Sequence, residues 1–366
     1  NTGAVTGEQH NVGGVAGYAK DCTVQDCCNT GAVTGSLNNV AGNECAGGVV
    51  GHAYKTTVEN CYSTGNVTGN ASVGGIVGFV ERGTVQNCIA LNPAVQGSLD
   101  AARVGNVDGG EFDGQGNYAF YDMVVKVNDS LKELVKGKNA IDGADVCVFS
   151  IYDSVFWTTD INWTGSAWEF ADEKLPILKN VPGEQSGEGG EHLKVDIAKA
   201  SVTVTGDSTY TGSRIDPPIE VAFTGFKGRK LEEGRHYTTV VVEKEGYSDG
   251  TSAGTVKLEL KGKGIFKGTQ HVTYEIQPKS LVSDSVVVTV EGGPFIYDGT
   301  AHTPGVSVKD NDRSATLAEG KDYKIEDYTH NVNAGTAEVR VKGIGNYTGT
   351  ETAEFTIEQR PGHRKG

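Results

Sequence analysis

The sequence predicts an all-β protein in two parts: a parallel β-solenoid with a small capping region, then two tandem β-sandwiches. Three observations carry that prediction. A set of three short phrases recurs three times near the N-terminus. A different, longer unit is duplicated near the C-terminus. Between and within them Val, Thr and Gly dominate, and long apolar helical periodicity is nearly absent. The chain has 366 residues and 52 glycines, too long for one ordinary core and without the Gly-X-Y period of collagen.

The first phrase is Asn1-Thr2-Gly3-Ala4-Val5-Thr6-Gly7, repeated as 29–35 and, with Ser63 and Asn66 substituted, as 63–69. The second is Val12-Gly13-Gly14-Val15-Ala16-Gly17, answered by 46–51 and 73–78. The third is Val24-Gln25-Asp26-Cys27, answered by Val58-Glu59-Asn60-Cys61 and Val85-Gln86-Asn87-Cys88. From one Gly-Gly pair to the next the step is 47 − 13 = 34 residues, then 74 − 47 = 27. Such a period marks a solenoid, whose single coil cannot bury its own apolar face and must stack. Each coil is expected to hold two or three strands. Val5, Val33 and Val67 would then form one interior ladder, Val15, Val49 and Ile76 another, and Val24, Val58 and Val85 a third. Glycine is expected to serve the corners, where φ is positive or two backbones approach closely.

Cys27, Cys61 and Cys88 fall on one ladder. The spacing of parallel strands is wider than a disulfide prefers, so they read as a buried thiol column. A zinc site lacks a CxxC pair or a His partner. Cys22 with Cys27 or Cys28 remains open as a local bridge. The odd count of seven cysteines leaves at least one unpaired in a monomer.

In their order, these phrases resemble the GLUG motif of bacterial cell-surface proteins. The resemblance continues through Ala90–Val95, Ala102-Arg103-Val104-Gly105 and Asn117–Met123, which look like the closing coil of such arrays. It implies a β-solenoid over 1–125 displayed outside the cell, and no reaction. Residues 126–183 read as a cap. Ser130 and Glu133 form a capping box with Gly137 as the stop, predicting a short helix over the last coil. Trp157, Trp163 and Trp168 offer either a sugar-stacking platform or packing of the cap against the solenoid. The run ending Lys174-Leu175-Pro176 resembles a segment of GLUG proteins and favours packing. Residues 184–191, within the run Gly183–Glu191, read as a flexible acidic linker.

Two units follow, over 192–278 and 279–360. Tyr210-Thr211-Gly212 answers Tyr297-Asp298-Gly299, Leu231–Tyr237 answers Leu317–Tyr323, and Gly262–Thr269 answers Gly343–Thr350. About seven short strands per unit, without cysteine, suggest a β-sandwich held by packing alone. The second unit resembles bacterial immunoglobulin-like repeats at Tyr297–Thr300, Glu319–Tyr323, Asn333–Thr336 and Gly343–Thr350. The first departs from that pattern with His236 for Asp and Phe266 for Tyr. The resemblance implies stalk domains that project a head from the cell wall. A Lys–Asn crosslink inside such sandwiches is one further reading.

Chemistry is sparse. The run Asp108-Gly109-Gly110-Glu111-Phe112-Asp113-Gly114 alternates acid and glycine, but misses the EF-hand spacing and reads as a solvated turn. Glu44, Glu59 and Glu81 would need to converge on one groove to act as a glycosidase or lyase pair. The eight His are scattered, and HExxH and P-loop motifs are absent. Sequons such as those at Asn66, Asn162 and Asn346 matter only in a glycosylating source. A net charge of −15 argues against nucleic acid, since no basic face would displace counterions. No stretch suits membrane insertion, and the opening in mid-repeat suggests a piece of a longer chain.

The expectation is therefore a non-enzymatic, cofactor-free protein outside the cell, at the surface or cell wall. It would be an elongated monomer presenting an adhesive head to a host or neighbouring-cell protein or glycan. The alternatives are an accessory region of a secreted peptidase or polysaccharide-degrading enzyme, or a glycan-binding module.

Overall fold

The computed structural model describes the chain except residues 9, 37–43, 108–110, 166, 183–184, 224–229 and 363–366. It is all-β and divides into two compact units, residues 1–196 with 263–267 and residues 197–262 with 268–366.

The first unit is a stack of parallel coils. Each full coil contributes five short strands, not two or three, to five parallel sheets; numbered in chain order, the first to fifth sheets hold Val33–Thr34, Cys45–Gly47, Val50–Tyr54, Thr57–Glu59 and Tyr62–Ser63 of the second coil. The register follows the repeated phrases. Val5, Val33, Val67, Val95 and Val125 form one column. Val24, Val58 and Val85 form another, which Gly114 continues. Val15, Val49 and Ile76 are joined by amide-to-carbonyl bonds across successive coils. Val49, Val58, Ile76 and Val85 are fully buried, each side chain contributing roughly 1.5–3 kcal/mol through burial. Val15, in the first coil, is 45% exposed. Pairing continues past residue 125, through Val124–Val127 and Ala144–Val146.

The glycines and the corners divide the labour differently from the expectation. Positive φ at the corners falls on polar residues: Asp21, Lys55 and Arg82 at one, Asp26, Asn60 and Asn87 at another. The Gly-Gly pairs serve close approach instead. A Cβ on Gly14, Gly48 or Gly75 would sit 2.3, 2.0 or 2.1 Å from a carbonyl oxygen of the next coil, which no side chain tolerates. Arg103 stands at this position in the fourth coil, where a loop replaces a further coil. Its fully buried guanidinium donates to the carbonyls of Phe120, Asp142 and Gly143 and to the Asp145 carboxylate.

The helix expected over 130–137 does not form. Ser130–Leu131 turns back antiparallel onto Val124–Val127, and Lys132 N–H donates to Val125 C=O. The Val135 amide and the Lys136 ammonium are held by Asp142 and Asp145. The exposed edge of the last coil is satisfied by a strand, which a helix would have left unpaired. The short α-helix of this region is Val148–Ile151. The segment read as a flexible linker is also tied down where it is described. Gln185 bonds both backbone groups of Leu178, Leu175 N–H donates to Gly187 C=O, and Leu193 is fully buried.

In the second unit, Tyr237–Val241, Gly254–Gly262 and Thr269–Ile276 pair antiparallel, and Ser201–Val204 pairs with Ile219–Ala222. The later repeat has a three-stranded sheet, Val286–Val290, Val306–Asp310 and Ala315–Thr316. Its four-stranded sheet orders Phe295–Ile296, Thr350–Glu358, Gly335–Gly343 and Tyr323–Thr329. Val290, Phe295 and Tyr328 pack on a core of Ala337, Phe355 and Ile357. The departure at His236 is a structural synonym. Its Nδ1 accepts from Glu232 N–H at 2.7 Å, as Asp322 Oδ2 accepts from Ala318 N–H at 2.9 Å.

Candidate functional site

The tryptophans go inside. Trp157, Trp163 and Trp168 are each 1% exposed and surround Tyr62 of the fifth sheet at ring separations of 6.1, 6.5 and 5.8 Å. Their indole N–H groups donate to Ile151 C=O, Asn87 C=O and Asp26 Oδ1, so two of the three bond to the αL corner residues of the coils. The Tyr62 hydroxyl donates to Pro176 C=O, and Leu175 is buried. Aromatic burial fastens the cap to the solenoid, and the sugar-platform reading of these rings falls.

The thiol column forms, but it is buried only at Cys61 and Cys88; Cys27, in the first coil, is half-buried. Cys61 and Cys88 are fully buried, and each Sγ donates to a carbonyl two residues back, Glu59 and Gln86. Among the described residues no two cysteines are joined in a disulfide. Burial pushes the Cys61 thiol well above its ordinary range, and burial alone pushes Cys45 up to about 12. These thiols are packing groups, not nucleophiles. Asn117 tops the column, its side chain accepting from Cys88 N–H and donating to Val85 C=O.

The candidate acids do not meet. Glu44 is buried, Glu59 lies on the fourth sheet beside Gln86, and Glu81 lies on the third sheet beside His52. Of the acidic run, Asp108–Gly110 lies outside the described residues, and Asp113 accepts from the Thr84 hydroxyl at 2.7 Å. Among the described residues no three His, Cys, Asp or Glu side chains are grouped to hold a metal ion. Among the described residues no helix is long and apolar enough to cross a membrane.

The feature that the phrase-by-phrase reading missed is on the third sheet. Tyr18, His52 and Phe79 are register partners on successive coils, with ring centroids 5.1 and 5.0 Å apart. Two residues on, Lys20, Tyr54 and Glu81 form a second row, with the Lys20 and Lys55 ammonium groups 5.5 and 5.4 Å from the Tyr54 ring. Tyr18 is 50% exposed. Burial lowers the His52 pKa against the opposing pull of Glu81, 3.5 Å away. The result is a stripe of rings that meet edge to face, flanked by charge. Its signal in the sequence was faint: Tyr18, His52 and Phe79 share no residue type, and only their common offset from the Gly-Gly pairs links them.

The GLUG motif model matches residues 42–68. That motif is typical of extracellular and surface proteins, so this part of the chain reads as an extracellular or surface module. No curated protein matches the sequence. Among solved structures, the chain is similar to the crystal structure of a "putative immunoglobulin A1 protease" from Bacteroides ovatus, at 23% identity and a TM-score of 0.36. That similarity covers 49% of this chain and 55% of the other, so the chain spans about half that protein's length.

Proposed function

We propose that the chain is a non-catalytic module of a bacterial surface protein, acting in adhesion or display. In this reading the GLUG solenoid is the binding head, and the two C-terminal repeats are immunoglobulin-like spacers in an elongated, monomeric stalk held at the cell wall. The observation that carries it is the Tyr18–His52–Phe79 stripe. Register stacking sets three rings side by side, half-exposed at one end and bordered by Lys20, Glu81 and Lys55. Aromatic faces with adjacent charge suit a glycan or a protein surface on a host or neighbouring cell.

Binding of the labelled chain to a panel of glycans and matrix proteins tests the reading. Saturable binding that falls on Tyr18→Ala and Phe79→Ala, with the fold intact, supports it. Binding unaffected by both substitutions would remove the stripe from the argument. Turnover of a peptide or polysaccharide by the purified chain would overturn the non-catalytic assignment.

A further inference from the structure

The two C-terminal repeats differ in one volume of their cores. In the later repeat the Tyr328 ring lies 6.4 Å from Phe355, and its hydroxyl donates to Pro304 C=O at 2.6 Å. Tyr328 faces Val339 across its ladder, and Val241 faces Leu258 in the earlier repeat. Since 339 − 81 = 258, Val241 stands where Tyr328 does; likewise 304 − 87 = 217 makes Pro217 the counterpart of Pro304. Phe295, which packs on the same Phe355 ring as Tyr328, is answered by Ser208 (295 − 87). Two aromatic side chains are thus absent from the earlier repeat.

At the Tyr328 position lies a cavity of about 440 Å³, walled by Pro217, Ile219, Tyr237, Val241 and Leu258. Thr239, in the position of Ile325, also lines it, and its buried hydroxyl has no hydrogen-bond partner among the described residues. Ile219 stays half-buried where Val306 is 7% exposed. Exposed Arg214, Asp216 and Glu233 line the opening side, and Arg214 is already paired with Asp216 at 2.9 Å. The charge left over is a carboxylate.

We propose that this cavity is a binding site for a phenolic ring, entering as the Tyr328 ring does and donating its hydroxyl to the Pro217 carbonyl. The volume is in the range of ligand pockets, roughly 300–1,000 Å³, and the spare carboxylate favours a neutral or cationic ligand over an acidic one. The ring is supplied either by a small phenolic amine or by a tyrosine in a partner peptide.

Titration of the full chain with N-acetyltyrosinamide, tyramine and a Gly-Lys-Tyr-Gly peptide, followed by NMR, tests this. Saturable binding is expected, with contacts from the probe ring to Leu258 and Ile219 methyls. N-acetylphenylalaninamide, lacking the hydroxyl, should bind about tenfold more weakly. Val241→Tyr restores the later repeat's own filling and should abolish binding while raising the melting temperature. Tighter binding of the peptide than of tyramine assigns the ring to a partner chain, and the reverse assigns it to a small molecule. Absence of saturable binding by all three probes, contacts placed elsewhere, or undiminished binding to folded Val241→Tyr would each overturn the assignment.

Discussion

The most informative perturbation lies in the later repeat, within the second unit, where a buried charged cluster stands at positions that are apolar in the earlier repeat. In the later repeat the Lys279 ammonium lies 2.6 Å from Asp310 and 2.8 Å from Asp312, and Asp310 is fully buried. The Tyr347 hydroxyl donates to Asp310 at 2.9 Å and accepts from Arg313, whose guanidinium lies 4.9 Å from the Tyr210 ring. In the earlier repeat the corresponding residues are Val195, Phe223 and Phe266, by ladder register and by offsets of 87 and 81. Asp310→Phe alone strands a lysine whose side chain is 12% exposed. Removing one partner of a buried pair costs about 3–5 kcal/mol, and the surviving Asp312 contact puts this case near the lower end. For a domain of this size about 3 kcal/mol lowers the melting temperature by roughly 12–24 °C.

Lys279→Val/Asp310→Phe/Tyr347→Phe, which installs the earlier repeat's apolar set, should recover to within about 1 kcal/mol of the wild type, since apolar replacement of a buried pair is often neutral. Calorimetry reads the transition. Tryptophan emission is a built-in control, because all three tryptophans lie at 157–168 in the first unit. A single variant that loses less than about 1 kcal/mol, or a triple variant no better than the single, would refute the reasoning.

Arg103→Met should destabilise the first unit by at least about 3 kcal/mol, because four acceptors beneath the guanidinium lose their donor; hydrogen exchange at Ala144–Val146 should quicken first. In native buffer a thiol reagent should label Cys22 and Cys147 rapidly, and Cys45, Cys61 and Cys88 only after unfolding. Burial holds the pKa of His192 below its ordinary value, with Leu91 C=O at 2.7 Å pulling the other way. A lowered folded pKa favours the neutral ring, so its contribution is whole above about pH 6.5 and is lost as pH falls through the folded value. Acid titration of stability should therefore lose part of its slope in His192→Gln. For Lys279 burial acts to lower the pKa, but Asp310 and Asp312 outweigh it and hold the ammonium above the ordinary lysine range. Stability from that group is present below the ordinary lysine pKa and lost as pH rises through the folded one, which alkaline melts of wild type and the triple variant should separate.

What the sequence determined by itself is the periodic part. Identical phrases can bury their valines only by stacking in register, so the columns at Val5, Val24 and Cys27 were legible from spacing alone. Both duplications were visible the same way, whereas His236 read as a departure and only its bond to Glu232 N–H showed that it does the work of Asp322. Spacing does not say what lies above a coil, and that is where the tertiary structure decided. Ser130 and Glu133 make a plausible capping box, yet an unpaired strand edge at Val124–Val127 takes the segment as a strand, because leaving those backbone groups bare costs more than local propensity returns. The Gly-Gly pairs are small because the next coil's carbonyl is about 2 Å from any Cβ, and Arg103 is allowed where a loop replaces that coil. The ring stripe and the cavity beside Val241 depend on side chains from different coils and strands facing one space. Such meetings are set by packing, and a single chain order does not display them.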